Sequence, residues 1–163
     1  MFPDQADGSL VTRGNVVVGS RLIGQPFGRP EYFQPRPSAA GAGYDASQSS
    51  GTNLAPANPK LIGAVHDAAA AYRQANGITP TFPIPIDAVT SSGSGLDPDV
   101  SPGNAALQVS RVAGARGVTE AQVRALVAAH TRGPDLGILG QARVNVLELN
   151  LALDAAAPMR PAR

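Results

Sequence analysis

Residues 101–131 read SPGNAALQVSRVAGARGVTEAQVRALVAAHT, and their punctuation decides the fold class. Ser101-Pro102 joins an N-cap side chain to a first-turn proline, whose missing N–H costs nothing at that position. The helix opened there spans 102–116 and closes at Gly117, because glycine accepts the left-handed conformation that ends helices. Thr119 and Gln122 then stand at capping-box spacing, with Val118 and Val123 at the two positions of a hydrophobic staple. A second helix over 119–131 follows, carrying Val123, Leu126, Val127 and His130 on one face. His130 there reads as a half-buried packing residue rather than a ligand.

Working outward, VNVLELNLALDAA (144–156) mixes period 2 with period 3.6. It predicts a short strand around Arg143 to Val146 that leads into a helix over 147–155. Upstream, Asn58-Pro59 starts a helix over 59–76 with Ile62, Val65, Ala69 and Tyr72 at helical spacing, and Asn76-Gly77 ends it. PTFPIPIDAVT (80–90) holds three prolines and reads as an extended, edge-like strand. Near the N-terminus, Leu10 to Thr12 and Asn15 to Val18 are β-rich runs separated by Arg13-Gly14, which fits a hairpin. From Gln25 to Pro59 the proline spacing forbids a helix. That segment nevertheless carries four of the seven aromatic residues, Phe27, Tyr32, Phe33 and Tyr44, and disordered segments are poor in aromatics. The expected fold is therefore α+β: a single small mixed domain over 1–157 with an N-terminal β-hairpin, a long irregular Pro/Gly-rich loop and about four helices. Residues 158–163 read as a disordered tail.

Composition limits the function. The chain has 163 residues, 43% hydrophobic, with net charge +1 and no cysteine. One domain fits that length. Its 13 basic residues are scattered singly, so no polybasic stripe is available for nucleic acid or for general membrane-surface binding. No apolar run approaches the roughly 18 residues of a membrane-spanning helix. Without cysteine, and with only two histidines, neither a disulfide framework nor a zinc cage is expected.

The strongest local candidate for chemistry is the loop Val89 to Pro102, VTSSGSGLDPDVSP, which sets glycines and hydroxyls before a helix N-terminus where N–H groups and the helix dipole can hold a phosphate. Against it, Asp97 and Asp99 lie on the same approach and no lysine follows the glycines as a P-loop requires. A Gly-rich turn into a capped helix accounts for the same residues. Gln108 and Arg111, three apart, share a helix face on which the arginine could fork onto a carboxylate or phosphate. Two carboxylates are few for a calcium site. No G-x-S-x-G elbow is present, so no catalytic residue is assigned.

In order along the chain stand GSRLIGQPF (19–27), YF with RPSA (32–33, 36–39), SSGTNL (49–54), PIDAVTSSGSGLDPDVSP (85–102), QVSRVAGARG (108–117), HT (130–131), LGILG (136–140) and VNVLELNLALD (144–154). In order and spacing they resemble the C subunit of the Kdp-type potassium-transporting P-type ATPase. The resemblance implies a bacterial membrane complex with a channel-like subunit, an ATP-hydrolysing pump subunit and this accessory chain. It also implies a single transmembrane helix ahead of the GSL-type start, with the rest on the extracytoplasmic side. The sequence opens MFPDQADGSL, as though entering after that helix. The expected piece is thus the soluble domain alone, with a natural soluble homologue as the alternative.

Two family roles follow from the resemblance. One is a catalytic chaperone that raises the pump's affinity for ATP, with Ser92, Gly93, Ser94, Gly95 and Gln108 at the nucleotide. The other is an accessory subunit that caps or tunes the channel-like partner. ATP is the one cofactor the resemblance raises, and no tightly bound cofactor or metal is expected. For docking, the aromatic-arginine set Phe27, Tyr32, Phe33 and Arg36 is the natural anchor, since such residues dominate protein interfaces, unless the rings cover the core instead.

Overall fold

The computed structural model describes residues 2–159; the disordered tail expected over 158–163 falls largely on 160–163, outside the described residues. The described chain is mixed α and β, with five helices and two small sheets. Helix α1 is a single turn, Pro3–Ala6. Strands β1 (Leu10–Arg13) and β2 (Val16–Ser20) form an antiparallel hairpin whose register shifts between Val11 and Thr12. Its turn falls one residue later than the sequence reading, at Gly14-Asn15, and Gly14 takes φ +62° there.

Helix α2 spans Pro59–Asn76, α3 Pro102–Arg116, α4 Glu120–Ala129 and α5 Val146–Ala156. Each starts as its sequence dictates: Asn58, Ser101, Thr119 and Asn145 all accept a backbone N–H through their side chains, and Thr119 with Gln122 completes the capping box. Gly77 and Gly117 end α2 and α3 in the left-handed conformation. The face of α2 differs from expectation. Ile62 is exposed, and the helix packs with Leu61, Val65 and Tyr72 half-buried.

The second sheet orders three short strands, β3 (Asp99–Val100), β5 (Arg143–Asn145) and β4 (Thr131–Arg132), all antiparallel with β5 central. Thr131 pairs with Val144, so the helix read as reaching 131 gives way to a strand after His130. Residues 80–90 form no strand. They carry one 3-10 turn, Ile86–Ala88, because the prolines leave too few N–H donors for a ladder. The strand lies further along, where Asp99 and Val100 follow Pro98 and face Asn145 and Val144.

The core gathers Phe33, Val100, Ala105, Val109, Val112, Val123, Val144, Leu149 and Leu153 from α3, α4, α5, the second sheet and the irregular segment. Among the described residues Phe33 is the one aromatic buried in it, at 0% exposure. Among the described residues no helix is long and apolar enough to cross a membrane.

Candidate functional site

The irregular segment is ordered by side chains that stand in for a partner strand. Gln108 of α3 accepts from the Gln34 N–H at 2.7 Å and donates back to the Gln34 carbonyl at 3.0 Å. Asn150 of α5 treats Phe33 the same way, at 2.8 and 2.9 Å. Both amides are buried, at 1% and 2% exposure. Arg111 donates to the carbonyls of Pro30 and Tyr32, and Arg116 to that of Glu31. Carbonyls 30–34 are thus all satisfied from α3 and α5, which meets the demand that buried backbone groups be paired.

These cations and amides are themselves held. Arg111 reaches Asn76 and the Gln108 oxygen, and Gln108 donates to Asn104, whose oxygen also accepts from the Tyr72 hydroxyl. Burial pulls the Arg111 guanidinium below its usual value. Arg116, with its side chain 1% exposed, pairs with Asp154 at 2.8 Å, and its guanidinium lies 4.9 Å from the centre of the Tyr32 ring. The Tyr32 hydroxyl donates to the other Asp154 oxygen, and Phe27 packs against the Tyr32 ring at 5.7 Å.

The four docking candidates therefore separate. Phe33 lies in the core and is unavailable as a surface anchor. Phe27 and Tyr32 are half-buried against the body. Arg36 turns inward, donating to Asp97 at 2.8 Å and to the carbonyls of Thr90 and Ser91. Tyr44 donates to the Arg36 carbonyl, and burial pushes its phenol up to about 12.

The loop with Ser92, Gly93, Ser94 and Gly95 is tied to the same segment. The Ser94 carbonyl accepts from the Ser50 N–H and the Ser49 hydroxyl, and the Gly95 carbonyl accepts from Ser38. Gly95 has φ +68°, and a Cβ there would stand 2.6 Å from the Ser50 carbonyl and 2.7 Å from the Ala40 nitrogen. That glycine serves a close approach of two chain segments.

Asp87, unremarked in the sequence, fills the N-terminus of α3. Its carboxylate accepts from the Ser101 N–H, the Ser101 hydroxyl and the Asn104 amide at 2.8, 2.9 and 3.1 Å. A fixed anion thus stands at the N-cap, beside the position that the sequence offers to a phosphate. Asp97 pairs with Arg36, and Asp99 lies 3.5 Å from Arg143. Burial, then the charge of Asp97, pushes the Asp99 carboxyl up.

The Gln108 amide is spent on Gln34, Asn104 and Arg111, whereas the carbonyls of the 92–95 loop take different residues of the segment, Ser38, Ser49 and Ser50. Asn150, Asp87 and Arg116 were the residues sequence reasoning missed. The one signal for Asn150 was a polar residue inside the apolar run LELNLALD. His130 bonds the Leu126 carbonyl through Nδ1 at 3.0 Å and caps α4. Among the described residues no group of three or more His, Cys, Asp or Glu side chains is placed to hold a metal ion.

Fold and site together define a small α+β domain whose irregular half is locked onto its helices by buried amides and guanidiniums. Residues 1–155 match the family described as KdpC, K+-transporting ATPase, c chain. The Potassium-transporting ATPase KdpC subunit of Beijerinckia indica is 58% identical over 98% of this chain and 81% of its own length. That of Caulobacter vibrioides is 60% identical over 96% and 79%, and that of Mycobacterium tuberculosis 54% identical over 94% and 81%. The chain belongs to the KdpC family of potassium-transporting ATPase subunits.

Proposed function

We propose that this chain is an accessory, non-catalytic subunit of a bacterial ATP-driven potassium uptake complex. It helps assemble or stabilise that complex and modulates the channel-like or the ATP-hydrolysing subunit, from the extracytoplasmic side of the cell membrane. Family membership supports the place in the complex. The observation that carries the non-nucleotide role is Asp87, whose carboxylate stands at the N-cap of α3, taking the Ser101 N–H and hydroxyl, so that a phosphate brought to that helix start would meet a fixed negative charge. The burial of Gln108 on the Gln34 backbone points the same way. With Asp97 and Asp99 each beside an arginine, the field they offer cations is weakened, so the role rests on docking rather than on ion capture.

Purification of the assembled transporter with and without this chain tests the reading. The expected result is that the channel-like and pump subunits co-purify with the chain, and that omitting it lowers the yield of intact complex while the apparent affinity for ATP stays unchanged. A complex that assembles fully without the chain but needs several-fold more ATP would instead establish the catalytic-chaperone role.

A further inference from the structure

We propose that the domain itself rests on an anionic bilayer surface, through the apolar tip at 134–140 and the neighbouring Leu22, with Arg21 and Arg132 meeting lipid phosphates at their bases. The proposal builds on the reading above that the chain works in a membrane complex.

The tip is a tight turn closed by two backbone bonds, Asp135 N–H to the Leu139 carbonyl and Leu139 N–H to the Asp135 carbonyl. Leu136 and Gly137 have φ +54° and +78°. Two consecutive positive φ values are what a type I′ turn requires, and Asn-Gly is its usual pair. Leucine at the first position is strained, and nothing on the body compensates, for Leu136 is 89% exposed. Ile138 and Leu139 beside it are 83% and 56% exposed. The chain thus accepts backbone strain to hold three large aliphatic side chains in water, and such outliers mark function.

Glu148 gathers the surroundings. One of its oxygens takes Arg21 at 2.9 Å and the other takes Arg132 at 2.6 Å. Leu22, 61% exposed, follows Arg21, and the tip's loop begins one residue after Arg132. Arg21 and Arg132, each close in sequence to an apolar projection, therefore meet on one carboxylate. That carboxylate side chain is 21% exposed, whereas its guanidinium partners are 51% and 57% exposed. Positive charge faces outward at the base of aliphatic projections, the arrangement that meets headgroup phosphates while apolar groups enter the acyl boundary.

A bilayer fits better than a protein pocket because residues 134–140 offer no hydrogen-bonding side chain except Asp135, which is 70% exposed but has its charge offset by Arg143 at 3.2 Å. Nothing on the tip would set register in a pocket, and a bilayer needs none. A polybasic stripe is unnecessary when two cations sit at the foot of a preformed loop.

Sedimentation of the chain with phosphatidylglycerol or phosphatidylcholine vesicles tests this. Binding to phosphatidylglycerol is expected to rise through the millimolar lipid range, weaker than the half-point of about 0.1 mM that one myristoyl chain gives. Leu136→Asn and Ile138→Asn should each lower it several-fold, and Arg21→Gln with Arg132→Gln should lower it on phosphatidylglycerol alone. Leu136→Asn should leave the melting temperature unchanged or raise it by about 2 °C, since asparagine suits the turn. Absence of wild-type sedimentation at several millimolar phosphatidylglycerol overturns the proposal, as does Leu136→Asn that binds normally or melts several degrees lower. Loss of co-purification in Leu136→Asn without any vesicle binding would assign the tip to a protein partner instead. A wild type that assembles with the transporter but ignores vesicles defeats this inference and spares the accessory role; the converse spares only this inference.

Discussion

Gln108 occupies the position that the family resemblance assigns to a nucleotide, and its chemistry explains why it has another task. Its amide offers one acceptor and two donor hydrogens, and Gln34, Asn104 and Arg111 use them. Gln108→Ala would leave the half-buried Gln34 N–H and carbonyl without these partners. At about 1–3 kcal/mol for an unsatisfied buried group, it should lower stability by about 2–4 kcal/mol, read from urea midpoints. The rings of the same segment give a sharper test. Phe33→Ala should cost about 3–5 kcal/mol as a core truncation, and Tyr32→Ala with Arg36→Ala should lower the melting temperature before it affects assembly. A double mutant that melts normally but fails to assemble would return Tyr32 and Arg36 to the docking surface.

Tyr44 supplies a pH dependence. Its folded pKa, about 12, stands above the ordinary tyrosine value of about 10, so folding favours the neutral phenol. The stability it contributes is complete below pH 10 and is lost as pH rises towards 12. Tyr72 is shifted in the same direction by burial. Urea midpoints that fall between pH 10 and 12 in the wild type, and fall less in Tyr44→Phe, are the expected outcome.

At the scale of elements, helix starts were the most legible part of the chain because a cap is a local event. Asn58-Pro59, Ser101-Pro102 and Thr119 with Gln122 act within four residues of themselves, and the structure has each of them. Thr119→Ala should cost about 1 kcal/mol; an unchanged denaturant midpoint would mean that the capping box contributes nothing. What the sequence hid were long-range partners. Two-residue strands such as β3 and β4 have no periodicity to detect, and exist because β5 lies between them. Asp87 reads as one residue of a proline-rich run, and only the fold brings it to Ser101, fourteen positions on. Asp87→Ala should therefore destabilise the domain by about 1–3 kcal/mol, through the buried donors it strands at the start of α3.

At the scale of the whole molecule, a thin core is supplemented by polar locks. Gln108, Asn150, Arg111 and Arg116 fasten residues 30–34, and the 92–95 loop closes over residues 38–50. The aromatic, proline-rich segment was legible as ordered, but whether its rings faced a partner or the core was not. Exposure depends on Asn150 and Gln108, more than seventy residues away in sequence. The central proposal is that Gln108 and the 92–95 loop serve the fold rather than a nucleotide. Amide NMR of the 15N-labelled chain titrated with ATP tests it most directly. The account predicts no saturable shift at Ser92 to Gly95 or at the Gln108 side-chain amide below millimolar ATP, a free energy no better than about −4 kcal/mol. Saturation of those signals at micromolar ATP would contradict it.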